Sequence, residues 1–141
     1  MILLDTSGLL AAIDSSQRHH AQAAAAMRTA RGPRVLSPFV LAELDSLIAT
    51  RVGSHAALAL LAEVARGAYR LESFDAGDVA IAHEVIEAHG DHDVGLADAS
   101  IVVLSRRYEM LELLTLDERH FRTLRGSAGR PFHILPADAP S

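Results

Sequence analysis

The chain has 141 residues, half of them hydrophobic and 22% charged, and carries a net charge of -5 with 13 arginines and neither lysine nor cysteine. This is enough apolar surface for one compact core, so a single domain over residues 1–141 is expected; the missing cysteine excludes disulfide frameworks, thiolate metal sites and cysteine nucleophiles. The missing lysine excludes Walker A phosphate loops and Schiff-base chemistry, and the acidic balance argues against broad coating of nucleic acid, so any such site must be local.

Residues 1–4 are apolar and stop at Asp5-Thr6-Ser7-Gly8, the pattern of a strand buried on both faces and ending in a turn. The run is too short and lacks the basic flank of a signal peptide, and no segment is long enough to span a bilayer, so a cytoplasmic protein is expected. A short helical piece over 9–13 leads to Asp14-Ser15-Ser16, then an alanine-rich helix over about 17–30 closed by Gly32-Pro33. Residues 34–37 read as a second strand, with Pro38 opening a helix over about 39–51. Gly53 ends it and Ser54 caps a further helix to about residue 66. A short third strand over 69–73, a helix over 75–87, a polar loop at 89–93 and a helix over 96–108 follow. Residues 113–116 form a strand running into Asp117, residues 118–124 a last helical turn or two, and 132–135 an edge strand. Strands alternating with helices imply crossover connections and a parallel sheet.

The position of the acids against this pattern is informative. Glu43 stands three residues after Val40 and four before Leu47, which predicts that it lies on the buried face of its helix. Asp98 precedes Ile101 and Val102 by three and four residues and is expected to face inward as well. Asp5 and Asp117 each follow a buried strand, at the carboxyl edge where open α/β sheets place their crevice. Buried carboxylates are costly unless paired or bound to a cation, and oxygen ligands of this kind suit Mg²⁺ and Mn²⁺. Each aspartate also has a plainer role open to it. Asp98 would favour the helix macrodipole from the first turn, while Asp5 and Asp117 would suit caps.

Leu4-Asp5-Thr6-Ser7, Ser37 to Leu44, Gly95-Leu96-Ala97-Asp98-Ala99-Ser100 and Thr115-Leu116-Asp117-Glu118-Arg119-His120-Phe121, in this order, resemble the PIN-domain family, and most of all the VapC-type toxins of bacterial toxin-antitoxin pairs. The resemblance spans essentially the whole chain. It implies a three-layer α/β/α sandwich around a mainly parallel sheet and Mg²⁺-dependent RNA cleavage, with Mn²⁺ able to substitute. Asp5, Glu43 and Asp98 would be the core catalytic and metal-binding acids and Asp117 the fourth. In-line hydrolysis would leave a 5′-phosphate and a 3′-hydroxyl. A cognate antitoxin is the implied partner.

Around these acids, Thr6, Ser7 and Thr115 are expected to orient carboxylates through their hydroxyls, or else simply to bond within turns. Arg119 and Arg122, on one side of the short helix after Asp117, are candidates for RNA phosphates. A solvated basic face is the alternative, particularly for Arg125. His19, His20, His55, His83 and His120 lack metal-ligand spacing and read as surface or structural histidines. Leu58, Leu61, Ala62 and Ala65 extend an apolar helix face, from which a homodimer is expected. Two rival readings are a PIN-fold module that binds RNA or protein without cleaving it, and a phosphoryl-transfer domain. The second fits poorly, because Ser7 stands where a dehalogenase-type phosphatase needs its second aspartate and no lysine is available.

Overall fold

The computed structural model describes residues 1–140. Five short strands, β1 (Ile2–Leu4), β2 (Arg34–Leu36), β3 (Arg70–Leu71), β4 (Glu112–Leu114) and β5 (His133–Leu135), form one sheet in the order β3-β2-β1-β4-β5. Every pairing is parallel, with Leu3 facing Val35 on one side and Leu113 on the other. Ile2, Leu3 and Leu4 are at most 1% exposed, so both faces of the central strand are covered by helices, as an unbroken apolar run requires. Those helices are α1 (Thr6–Ile13), α2 (His20–Thr29), α3 (Pro38–Arg51), α4 (Ser54–Ala65), α5 (Ala76–Ala88), α6 (Leu96–Tyr108) and α7 (Glu118–Phe121). They pack in successive pairs, α1 on α2, α3 on α4 and α5 on α6.

The connectivity creates the crevice. From β1 the chain steps outward to β2 and β3, then crosses to β4 on the opposite side of β1 and continues to β5. Connections leaving β1 and β4 therefore diverge, and their carboxyl ends bound the switch point at which doubly wound sheets bind ligands.

Several boundaries differ from the sequence expectation for identifiable reasons. The first helix starts at Thr6 rather than residue 9. The second starts only at His20, because the Asp14 carboxylate accepts from the Ser16 N–H and hydroxyl at 3.0 and 2.8 Å and holds residues 14–17 in a turn. β4 ends at Leu114, so Asp117 lies three residues beyond it, not directly after it. Past Thr115, whose N–H still reaches Leu135 O at 3.0 Å, the backbone donors turn to side chains: Leu116 N–H donates to Ser7 Oγ and Asp117 N–H to Thr115 Oγ1. The helix following Asp117 is a single turn ending at Phe121.

Gly8 lets this edge close. A Cβ there would lie 2.5 Å from the Leu114 carbonyl oxygen and 2.6 Å from its carbon, so the first turn of α1 rests directly on the backbone of β4. No helix among the described residues is long and apolar enough to cross a membrane.

Candidate active site

Asp5 occupies the N-cap position of α1, yet its side chain caps nothing. Its backbone N–H is tied to Leu114 O at 3.0 Å, and its carboxylate points to the β4 side of the crevice. There Thr115 Oγ1 donates to Asp5 Oδ2 at 2.6 Å and Ser7 Oγ to the same oxygen at 3.1 Å. Thr115 and Ser7 are in turn held by the Asp117 and Leu116 amides, each of which donates to one of the two hydroxyls. This lattice fixes the orientation of Asp5 from two chain segments more than a hundred residues apart.

Asp5, Glu43, Asp98 and Asp117 all line one cleft of about 280 Å³, together with Thr6, Ser7 and three leucines. Only Asp5 is fully buried. Glu43 is exposed, contrary to the expectation from its spacing. The buried stripe of α3 consists of Val40, Leu44 and Ile48, at successive intervals of four, and Glu43 falls one position to its side. It therefore stands on the cleft wall rather than in the core. Asp98 and Asp117 are partly buried, with side chains 20% and 32% exposed. Asp117 does cap its helix, accepting from His120 N–H at 3.1 Å through Oδ1, while its Oδ2 faces the ring of the same histidine.

Burial pushes the Asp5 carboxyl up to about 6, and the charge of Asp98 adds to this against the hydrogen bonds from Thr115, the Thr6 backbone and Ser7. Asp98 is also raised, first by burial and then by the charges of Asp117 and Glu43, against the Gly95 amide and His120. The cleft thus concentrates negative charge that the protein incompletely offsets. Thr6, a residue of the same cleft, holds no carboxylate through its hydroxyl as Ser7 and Thr115 do: its Oγ1 is the one buried side-chain nitrogen or oxygen among the described residues with no hydrogen-bond partner. An under-compensated set of oxygen donors beside an orphaned hydroxyl fits a hard divalent cation and its hydration waters.

Sequence reasoning missed His120. Its Nδ1 lies 2.7 Å from Asp117 Oδ2 and 3.8 Å from Asp98 Oδ2, while Nε2 lies 2.8 Å from the His92 carbonyl. Both ring nitrogens face acceptors, which favours the doubly protonated ring, and the bond to Asp117 is the largest cause of its raised pKa. Asp98, Asp117 and His120 can each bring one ligand atom within 4.8 Å of the others. The signal was present in the sequence as the three-residue interval from Asp117 to His120 at the start of a helix. The polar loop at 89–93 enters here too, through the His92 carbonyl.

The two candidate arginines separate. Arg119 is exposed, and no side-chain partner meets its guanidinium among the described residues. Arg122 instead forms a bidentate pair with Asp138 at 2.7 and 2.9 Å and bonds Glu118 at 2.8 and 3.2 Å, which occupies most of its donors. It holds Asp138 down to about 2 and anchors the chain beyond β5, so its charge is already matched inside the protein. Of the two arginines expected to meet phosphate, Arg119 alone keeps its guanidinium unpaired among the described residues.

A PIN domain family model matches residues 2–126. Ribonuclease VapC26 of Mycobacterium tuberculosis strain H37Rv is 42% identical over 135 residues, covering 96% of this chain and the whole of the relative. Among solved structures, M. tuberculosis VapC20, described as a sarcin-ricin loop cleaving toxin, superposes with a TM-score of 0.77 at 24% identity, over 83% of this chain and 90% of that one. FitAcB from Neisseria gonorrhoeae superposes with a TM-score of 0.55 at 21% identity, over 77% and 83% of the two chains. At those identities the two structures establish the shared fold.

Proposed function

The chain belongs to the PIN-domain family as a VapC-type ribonuclease toxin, and from that premise we propose that it cleaves RNA phosphodiesters with Asp5, Glu43, Asp98 and Asp117 holding Mg²⁺, for which Mn²⁺ can substitute. The observation that carries the assignment is the meeting of four acids from four separate segments in one cleft, with Asp5 buried beside Asp98 and no cation of the protein against it. A PIN fold that only bound RNA would gain nothing from this repulsion, since carboxylates oppose a phosphate backbone.

When bound, the divalent cation supplies Lewis acidity toward the scissile phosphate and lowers the pKa of an attacking water. Thr115 and Ser7 hold Asp5 in one orientation, so that ligand needs no reorganisation. Glu43 and Asp98 present their charges from α3 and α6 across the cleft, and His120 steers Asp117 through Oδ2. Leu10, Leu47 and Leu116 supply the apolar part of the same cleft's lining. No side-chain nucleophile is required, and hydrolysis in line leaves a 5′-phosphate and a 3′-hydroxyl. Arg119, free at the surface beyond Asp117, contributes a phosphate contact.

The proposed partners are an RNA substrate, a cognate antitoxin and a second copy of the chain. Leu58 and Leu61 on α4 are 65% and 39% exposed, and Ala62 and Ala65 continue that face outward, so it is not consumed within one subunit. Induced expression in a bacterial host should arrest growth with RNA cleavage, and co-expression of the product of the upstream reading frame should relieve it. Light scattering of the purified chain should give twice 15.1 kDa. A monomer without effect on growth would contradict both the toxin and the dimer assignments.

A further inference from the structure

The acid cleft contains one basic residue that the sequence reading did not single out. Glu43, Leu47 and Arg51 follow one another at intervals of four along α3, and all three line the cleft. Arg51 is the only basic side chain among the residues that form it. It is exposed, in the last turn of α3, and its guanidinium has no hydrogen-bond or ion-pair partner among the described residues. The contrast with Arg122, whose charge is matched by two carboxylates, is direct.

A polyanion approaching four carboxylates is repelled everywhere except at the cation they hold and at whatever positive charge the wall provides. Eight residues of helix place the Arg51 backbone about 12 Å from that of Glu43 along the axis. A guanidinium carried at that distance is placed to meet a phosphate flanking the reaction centre rather than the scissile group. The start of α3 is pinned by the 3.1 Å cap from Phe39 N–H to Ser37 Oγ and by the 2.7 Å bond between the Ser37 and Ser100 hydroxyls, so the wall carrying Arg51 is fixed relative to Asp98 on α6.

We propose that Arg51 positions the RNA strand in the cleft by binding the phosphate next to the one cleaved. This assignment rests on the nuclease reading above and adds a substrate contact to it. Because a phosphate carries no sequence information, the contact acts on any single-stranded RNA, and a random-sequence pool is a sufficient probe.

The test compares wild type with Arg51→Ala and Arg51→Lys, using a fluorescein-labelled random-sequence RNA pool. Anisotropy in EDTA gives affinity without cleavage, and Mn²⁺ then gives KM and kcat. For Arg51→Ala, affinity should fall about tenfold, the slope of log affinity against log salt should shrink by about 0.7, and KM should rise with little change in kcat. Arg51→Lys should recover most of the affinity, and Mn²⁺ binding should be unaffected in both. A role confined to the helix macrodipole would lower the melting temperature of Arg51→Ala and leave RNA affinity and salt slope at wild-type values, which would overturn the assignment. A wild type that binds the pool yet cleaves no RNA with Mn²⁺ would overturn the nuclease reading, and this assignment with it.

Discussion

Asp5→Asn should reduce RNA cleavage by about a hundredfold or more while making the metal-free protein more resistant to heat. The first effect follows from removing a ligand charge and keeping its shape. The second follows from the environment of Asp5, which burial and Asp98 make unfavourable for a charge. The folded-state pKa of about 6 exceeds the ordinary 3.8, so the folded protein takes up a proton relative to the unfolded chain between those values. The contribution of Asp5 favours folding below about pH 4 and is lost as pH rises through about 6. At neutral pH the ionised group costs about 3 kcal/mol, which asparagine avoids. A melting curve at neutral pH with EDTA, beside a cleavage assay, measures both effects. Asp98→Asn should lose cleavage similarly. Retained activity in either variant would remove that residue from the metal site, and an Asp5→Asn protein less stable than wild type without metal would show that the hydrogen bonds from Thr115 and Ser7 outweigh the charge.

Gly8→Ala should be strongly destabilising, although it adds one methyl group to a helix, where alanine is normally favoured. The new carbon would meet the Leu114 carbonyl at 2.5 Å and the Thr115 nitrogen at 2.8 Å, and neither backbone atom can swing aside as a side-chain end could. Relief requires α1 to lift from β4, which breaks the Asp5 N–H bond to Leu114 and pulls Ser7 from Thr115. A loss of about 3 kcal/mol, or roughly ten degrees in melting temperature, is expected together with reduced cleavage. Gly90→Ala, where nothing lies within 4 Å, serves as the control and should melt near wild type. Equal melting of the two variants would show that the contact between α1 and β4 is loose.

The strands and long helices were legible because their apolar patterns are local. The apolar run before Asp5 announced a buried central strand, and α6 begins and ends where its spacing predicts. The four acids were identified as a set from their order and resemblance, but their exposure was not. Glu43 was expected in the core because its distances to Val40 and Leu47 fit a stripe, whereas Val40, Leu44 and Ile48 form a tighter one that displaces it. Gly8 looked like a turn residue, since its need to be glycine comes from β4, more than a hundred positions away. Arg51 was invisible for the same reason, since it acquires its place from segments brought alongside by the sheet; for His120 the Asp117 contact could be read from local spacing, while those to Asp98 and the His92 carbonyl could not. Arg122 illustrates the converse, because its partner Asp138 lies beyond β5 and no helix-face argument could find it.

The central claim is that the cleft acts through a divalent cation held by its acids, and cleavage of RNA by the purified wild type with and without EDTA tests it most directly. Cleavage should cease when EDTA is added, return when Mg²⁺ or Mn²⁺ is restored in excess, and yield fragments bearing 5′-phosphates. Undiminished cleavage in EDTA, or fragments ending in a 2′,3′-cyclic phosphate, would contradict the account.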